Sequence, residues 1–111
     1  MAKKYISNTE CTIDFAFQRI GGKHKGRILW HLNANTILRY GELRRLVTGI
    51  TAKMLTQALR ELEEDQFIVR KVYYQVPPKV EYSLTVTGSE LIPFIKYLNQ
   101  WGQKQMLKLQ A

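Results

Sequence analysis

Apolar residues in the first part of the chain recur every three or four positions, which is the spacing of amphipathic helices. A first helix is predicted after the capping-box sequence at residues 7–10, and Gly21 and Gly22 end its periodic run. A second helix is predicted over about residues 23–34, with its apolar stripe facing inward. The polar face of this second helix carries three basic residues, Lys23, Lys25 and Arg27.

Between residues 36 and 65 the pattern predicts a small strand, a short helix and a longer helix. Residues 36–39 are apolar in the middle, as in a short strand, and residues 41–47 have a helical pattern. Thr51 follows a tight turn and is positioned to cap a helix that runs to about residue 65, because its hydroxyl can accept from free amide groups. The predicted core stripe of this helix is Met54, Leu55, Ala58, Leu59 and Leu62.

After residue 65 the spacing changes from helical to alternating. Residues 67–74 are rich in β-branched and aromatic side chains, and residues 80–86 alternate apolar with polar ones, which predicts two strands. Pro77 and Pro78 lie between them and cannot donate to a strand ladder. Residues 75–79 are therefore predicted to form a projecting hairpin loop.

A last helix is predicted from a second capping-box sequence at residues 87–90. Its apolar residues continue to Trp101, and Pro93 is expected to bend its first turns. The tail from residue 102 carries no clear signal.

This order of elements, with a tight turn between helices and a hairpin after them, is that of a winged helix-turn-helix. We therefore predict an α+β, mostly helical fold, in which a two-stranded β-hairpin is the wing and terminal helices flank the motif. A chain of 111 residues, 45% of them apolar, is long enough to close one hydrophobic core. One domain over residues 1–111 is expected.

Positive charge is concentrated in the middle of the chain. The 17 Lys and Arg residues exceed the nine Asp and Glu residues, for a net charge of +8. Residues 23–60 hold eight basic and one acidic side chain, whereas residues 61–65 are strongly acidic. A polyanion is therefore the first partner to consider.

Several classes of protein and site do not fit the sequence. No apolar run approaches the roughly 18 residues of a membrane-spanning helix, so we expect a cytoplasmic protein without membrane contact. Cys11 is the only cysteine, which excludes an intramolecular disulfide. His24 and His31 stand two helical turns apart, about 10 Å, too far to share a metal ion. We find no catalytic constellation and expect neither an enzyme nor a cofactor.

The helix after Thr51 has the polar residues that proteins use on duplex DNA. Lysine and arginine bind guanine or phosphate, glutamine can pair with adenine, and threonine contacts a thymine methyl or a phosphate. Candidate DNA-binding residues on the two central helices are Arg44, Arg45, Thr51, Lys53, Thr56, Gln57 and Arg60. Gln75 and Lys79 in the wing would contact the backbone or the adjacent minor groove.

Other interpretations of this face stay open. Any solvated helix carries such side chains, and winged helices also bind RNA or serve as protein interaction modules. The acidic end of the helix favours duplex DNA, since that end would point away from the phosphates.

The chain resembles the HxlR-type transcriptional regulators, a bacterial and archaeal branch of the MarR-like winged-helix proteins. The resemblance covers about residues 10–102 and rests on the blocks GGKHKGRILWHL, GELRRL, MLTQ, LRELE, VPPKVEYSLT and LNQWG. It implies a homodimer on an inverted-repeat operator, with the first and last helices at the subunit interface and the helix after Thr51 in the major groove. We expect this regulator to be a repressor. Thr12, His24, Gly26 and Gln66 depart from the usual pattern of the family.

Cys11 matches an amino-terminal cysteine that several members of this family use to sense oxidants or electrophiles. A thiol at the start of a helix gains from the partial positive charge there, which favours the reactive thiolate. The alternative is that Cys11 is a small packing residue. A small-molecule effector stays unidentified: Phe15, Phe17, Tyr97 and Trp101 could line a pocket for one, or belong to the core or the interface.

Overall fold

The computed structural model describes residues 11–110, and within this range helices pack around a small antiparallel sheet. The predicted capping box at residues 7–10 lies outside the described residues. The helices are α1 (Thr12–Ile20), α2 (Lys25–Asn35), α3 (Tyr40–Leu46), α4 (Ala52–Glu64), α5 (Val86–Ser89) and α6 (Ile92–Gln110). The strands are β1 (Ile37–Arg39), β2 (Ile68–Tyr73) and β3 (Lys79–Leu84). The fold is the predicted winged helix-turn-helix.

The sheet has three strands, one more than the predicted hairpin. Its order is β1-β3-β2, and both pairings are antiparallel. Leu38 of β1 and Arg70 of β2 both pair with Tyr82, at the centre of β3. The sequence predicts the strand at residues 36–39 correctly, but its partner lies more than 40 residues away, beyond the reach of a local pattern.

The core is built on α2, whose Ile28, Leu29 and Leu32 are completely buried. They pack in one cluster with α3, α4 and the sheet, through residues that include Leu43, Leu55, Leu59, Leu62, Ile68 and Tyr82. Met54, predicted in the core stripe of α4, is instead 39% exposed. It lies one position before Leu55, about 100° around the helix, at the edge of the stripe that residues 55, 58, 59 and 62 define.

The predicted last helix is two helices, and its start differs from the prediction. Thr85, not Thr87, is the cap: its Oγ1 accepts from the Gly88 amide at 3.0 Å and begins the short helix α5. Val86 therefore belongs to α5 and is 78% exposed, where alternation predicted a strand. Pro93 lies in the first turn of α6, where a missing N–H is tolerated, so it does not bend an existing helix. The tail is helical through Gln110.

The turn between α4 and β2 accounts for the backbone conformation of Gln66 and for the need for glycine at position 88. Gln66, one of the residues that depart from the usual family pattern, has a φ of +64°, in the left-handed region that favours glycine. Gly88 is packed against the same turn, and a Cβ there would stand 2.0 Å from the carbonyl oxygen of Phe67. Only glycine lets α5 approach the start of β2 this closely.

Candidate nucleic-acid interface

The outer face of α4 brings four of the predicted site residues together. The hydroxyl of Thr51 accepts from the Met54 amide at 3.1 Å, which confirms the predicted cap. Leu55, Ala58, Leu59 and Leu62 bury the opposite side of the helix, so its polar side chains face solvent. A shallow groove along α4 is lined by Ala52, Lys53, Thr56, Gln57, Arg60, Glu61 and Glu64.

Two long-range contacts hold the amino-terminal end of α4. Arg27 of α2 donates to the carbonyl oxygen of Thr48 at 2.6 Å and lies 3.3 Å from its hydroxyl, in the turn before the helix. Tyr40 of α3 donates to the carbonyl oxygen of Ala52 at 3.0 Å, and its hydroxyl is 3.2 Å from Thr56 Oγ1. Neither contact could be predicted from the sequence, because no local signal connects residues 12 to 21 positions apart.

Lys25 and Glu61 are not the free surface charges that the sequence predicted. Lys25 is buried, and its Nζ lies 2.7 Å from Glu61 Oε1. Glu61 Oε2 in turn accepts from Gln57 Nε2 at 3.2 Å. Helical periodicity put Lys25 on the polar side of α2, but α4 packs across that side and supplies the carboxylate that a buried ammonium requires.

Further arginines extend the positive surface beyond α4. Arg44 and Arg45 are exposed on α3, and Arg45 lines a small cleft with Arg39. Arg70 of β2 lines a second concave surface together with Arg60 of α4. The structure thus places α3, α4 and the edge of the sheet beside one another as a basic surface.

The wing is exposed at its tip and internally paired at its base. Gln75 lies at the exposed tip, next to Tyr74 and Val76, which are 95% and 100% exposed. Lys79 is half-buried, with Nζ 3.7 Å from Glu81 Oε2 and 4.2 Å from the centre of the Tyr73 ring. The charge of Lys79 is therefore partly balanced by Glu81, whereas the Gln75 side chain points into solvent at the tip of the wing.

One of the two histidines lies within α2 and the other lies immediately before it. Burial, followed by the charges of Arg27 and Lys23, lowers the pKa of His24. Among the residues that the structure describes, its buried Nε2 has no hydrogen-bond partner. Burial and Arg27 also lower the pKa of His31. Within residues 11–110 no group of three or more His, Cys, Asp or Glu side chains is placed to hold a metal ion.

The amino-terminal and carboxy-terminal helices leave an apolar surface uncovered. Phe17 of α1 is 55% exposed and Trp101 of α6 is 53% exposed. Cys11 is exposed at the position that precedes the first turn of α1. None of the helices described in residues 11–110 is long and apolar enough to span a membrane.

Comparison with known proteins agrees with this geometry. A family model for the HxlR-like helix-turn-helix matches residues 19–110. The chain belongs to this family. The HxlR-like assignment confirms the resemblance seen in the sequence blocks, and it includes both central helices and the wing.

Several known proteins align with this chain over most of their own length. MalR of Fusobacterium mortiferum is 50% identical over 95 residues, which cover 86% of this chain and 90% of that protein. The HTH-type transcriptional regulator YybR of Bacillus subtilis is 44% identical over 99 residues, 89% of this chain and 78% of YybR. The reduced form of the redox regulator HypR superposes with a TM-score of 0.83 at 43% identity, covering 90% of this chain and 98% of HypR. The protein is a transcriptional regulator of the helix-turn-helix type.

Proposed function

We propose that the protein binds double-stranded DNA in a sequence-specific manner and represses transcription as a homodimer in the cytoplasm. The observation that carries the proposal is the outer face of α4, where Lys53, Gln57 and Arg60 line one exposed groove on a helix held by its neighbours. A helix of 13 residues fits the major groove, and rigid support at its amino-terminal end would fix its angle to the bases.

Each site residue has a role in this proposal. Gln57 reads adenine, and Lys53 and Arg60 bind guanine or phosphate. Thr56 contacts a thymine with its methyl group, because its hydroxyl hydrogen is donated to the Tyr40 oxygen. Thr51 acts indirectly, because its hydroxyl caps the helix whose first amides face a phosphate.

The remaining site residues bind the DNA backbone. Arg44 and Arg45 on α3 meet the phosphates on one side of the major groove. Gln75 at the tip of the wing reaches the adjacent minor groove, while Lys79 contributes less because it is paired with Glu81.

The partner subunit is a second copy of this chain, bound through α1 and α6. Both helices expose large apolar side chains that a monomer would leave in water; these are Ile13, Phe17, Phe94, Tyr97, Leu98 and Trp101. A two-fold axis through this face would present two copies of α4 to successive major grooves, which requires an inverted-repeat site.

Selection of binding sites from a random duplex library tests this function. Purified protein at physiological salt should enrich an inverted repeat with half-sites about one helical turn apart. Alanine at Lys53, Gln57 and Arg60 should abolish the enrichment while the circular dichroism spectrum and melting temperature stay close to the parent. Repression is tested by placing the recovered repeat across the promoter of a reporter. Failure to enrich a duplex, or a preference for sequences from a random RNA library tested in parallel, would overturn the proposal.

We also propose that oxidation of Cys11 modulates DNA binding. The thiol is exposed at the start of α1, next to the proposed interface, and the similar protein HypR is a redox regulator. With one cysteine in each chain, oxidation gives an inter-subunit disulfide or a mixed disulfide with a small thiol. Diamide should release the protein from its selected duplex and dithiothreitol should restore binding, whereas Cys11→Ser should stay bound. Release of Cys11→Ser by diamide would instead leave Cys11 as a packing residue.

A further inference from the structure

The side chains of Lys25, Glu61 and Gln57 form a chain of contacts from the core side of α4 to its outer face. Lys25 Nζ lies 2.7 Å from Glu61 Oε1, and Glu61 Oε2 accepts from Gln57 Nε2 at 3.2 Å. Lys25 is 8% exposed, while Gln57 is on the solvent side of the helix. The buried ammonium thus fixes a carboxylate, and the carboxylate contacts a side chain of the proposed DNA surface.

This contact determines which way the Gln57 carboxamide points. An ionised carboxylate can only accept hydrogen bonds, so it must face the NH₂ group of Gln57 and not the carbonyl oxygen. Repulsion between the Glu61 carboxylate and the Gln57 carbonyl oxygen turns that oxygen away from Glu61. The amide hydrogen that lies trans to the carbonyl oxygen then donates to Glu61. The carbonyl oxygen and the other amide hydrogen then face outward as an adjacent acceptor and donor.

An adjacent acceptor and donor is the pattern that adenine requires in the major groove. The carbonyl oxygen of glutamine accepts from adenine N6, and its amide donates to adenine N7. A freely rotating carboxamide would have to lose rotamer freedom and choose an orientation on binding. A carboxamide that Glu61 holds is already fixed in one orientation before DNA binds.

We propose that Glu61, fixed by Lys25, is a specificity-determining positioning residue that orients Gln57 for adenine. The inference rests on the proposed DNA-binding function of α4. It also explains why a carboxylate lies in the groove of a basic surface: its charge is balanced by Lys25, so the groove gains an acceptor without repelling phosphate as an unpaired carboxylate would.

The test measures the base preference of variants at every position of the selected duplex. Gln57→Ala identifies the base pair that Gln57 reads, where the parent should prefer adenine by about tenfold or more. Glu61→Gln keeps the size of the side chain but can either donate or accept, so Gln57 can adopt both orientations. The preference at that base pair should fall below about threefold, with other positions unchanged.

Two further variants separate positioning from charge and from folding. Glu64→Gln also removes one negative charge from this groove and should leave the base preference unchanged. The double variant Lys25→Leu with Glu61→Leu replaces the ion pair by apolar side chains, which proteins often tolerate, and should also lose the adenine preference. In the Gln57→Ala background, Glu61→Gln should cause no additional loss.

The results that overturn the inference differ from those that overturn the function. If the parent selects a duplex but Glu61→Gln keeps the full adenine preference, Glu61 does not position Gln57. An equal loss at all base pairs would mean that the variant displaces α4 as a whole. Failure of the parent to select any duplex would reject the proposed function itself.

Discussion

The guanidinium of Arg27 donates to the carbonyl oxygen of Thr48 across 2.6 Å, although 21 positions separate the two residues in the chain. Thr48 opens the turn that leads to the Thr51 cap, so this bond ties α2, the centre of the core, to the start of α4. The angle at which α4 leaves the core therefore depends on a side chain outside the helix-turn-helix motif. We therefore expect Arg27 to support the proposed interface without contacting DNA itself.

Arg27→Met tests this support. Loss of the charged donor should lower the free energy of unfolding by about 1 kcal/mol, a value reduced for the partial exposure of the pair. Affinity for the selected duplex should fall by more than removal of one charge explains. Urea denaturation and titration of the duplex measure the two effects. Arg44→Met, an exposed residue of α3, should change stability by less than about 0.5 kcal/mol. Equal stability of the two variants would contradict the role of Arg27.

Gly88→Ala should be strongly destabilising, because the new Cβ would overlap the carbonyl oxygen of Phe67 and push α5 from the start of β2. We expect the free energy of unfolding, measured by heat or urea, to fall by about 2–3 kcal/mol. Gly26→Ala is the matched control, since Gly26 lies within α2 with open space around its Cα. Gly26→Ala should raise the free energy of unfolding by about 0.5–1 kcal/mol. Similar stability in both variants would show that α5 does not pack as described.

The fold should lose stability as the pH falls below about 6.5. The pKa of His24 is lowered in the folded chain by burial and by the charges of Arg27 and Lys23, so the unfolded chain binds a proton at a higher pH. Stability from this group is complete above the unfolded pKa and is lost as the pH decreases towards the folded one. The free energy of unfolding, measured by urea between pH 7.5 and 5.5, should decrease, and His24→Gln should reduce its slope. His31 shifts in the same direction and accounts for part of the remaining slope. An unchanged slope in His24→Gln would refute the assignment.

Binding to the selected duplex should depend steeply on salt, and Lys53 should carry part of that dependence. Lys53→Ala removes one cation from the groove of α4, so the slope of log affinity against log salt should become shallower by about one unit. Lys104→Ala removes the same charge from α6 and should leave the slope near that of the parent. If both variants change the slope equally, the charge acts through the whole molecule and not through α4.

The apolar face of α1 and α6 should determine the oligomeric state. Trp101→Glu introduces a charge into this face, and sedimentation should show a monomer at concentrations where the parent is a dimer. Operator affinity should fall with it, because two half-sites are no longer read together. Val76→Glu introduces the same charge at an apolar, fully exposed residue at the tip of the wing and should leave the dimer intact. A dimeric Trp101→Glu would place the interface elsewhere.

Local sequence signals were sufficient wherever the responsible groups lie within a few residues of one another. The Thr51 cap, the buried stripe from Leu55 to Leu62 and the two strands of the hairpin all follow from spacing and side-chain type. The same reasoning failed at residues 85–90, because Thr87 has the capping-box spacing while Thr85, two positions earlier, caps the helix in the structure. The approach of Gly88 to Phe67, a contact between separate elements, agrees with the Thr85 cap that the structure shows.

The sequence by itself determined the helix-turn-helix order, the concentration of positive charge and the residues that α4 turns outward. Only the tertiary structure decided that Lys25 is buried against Glu61, that β1 joins the sheet beside β3 and that Arg27 holds Thr48. The physical reason is distance along the chain. Helix periodicity and caps arise from groups three or four residues apart, whereas these contacts join residues 21 to 46 positions apart and form only when the core brings their helices and strands together.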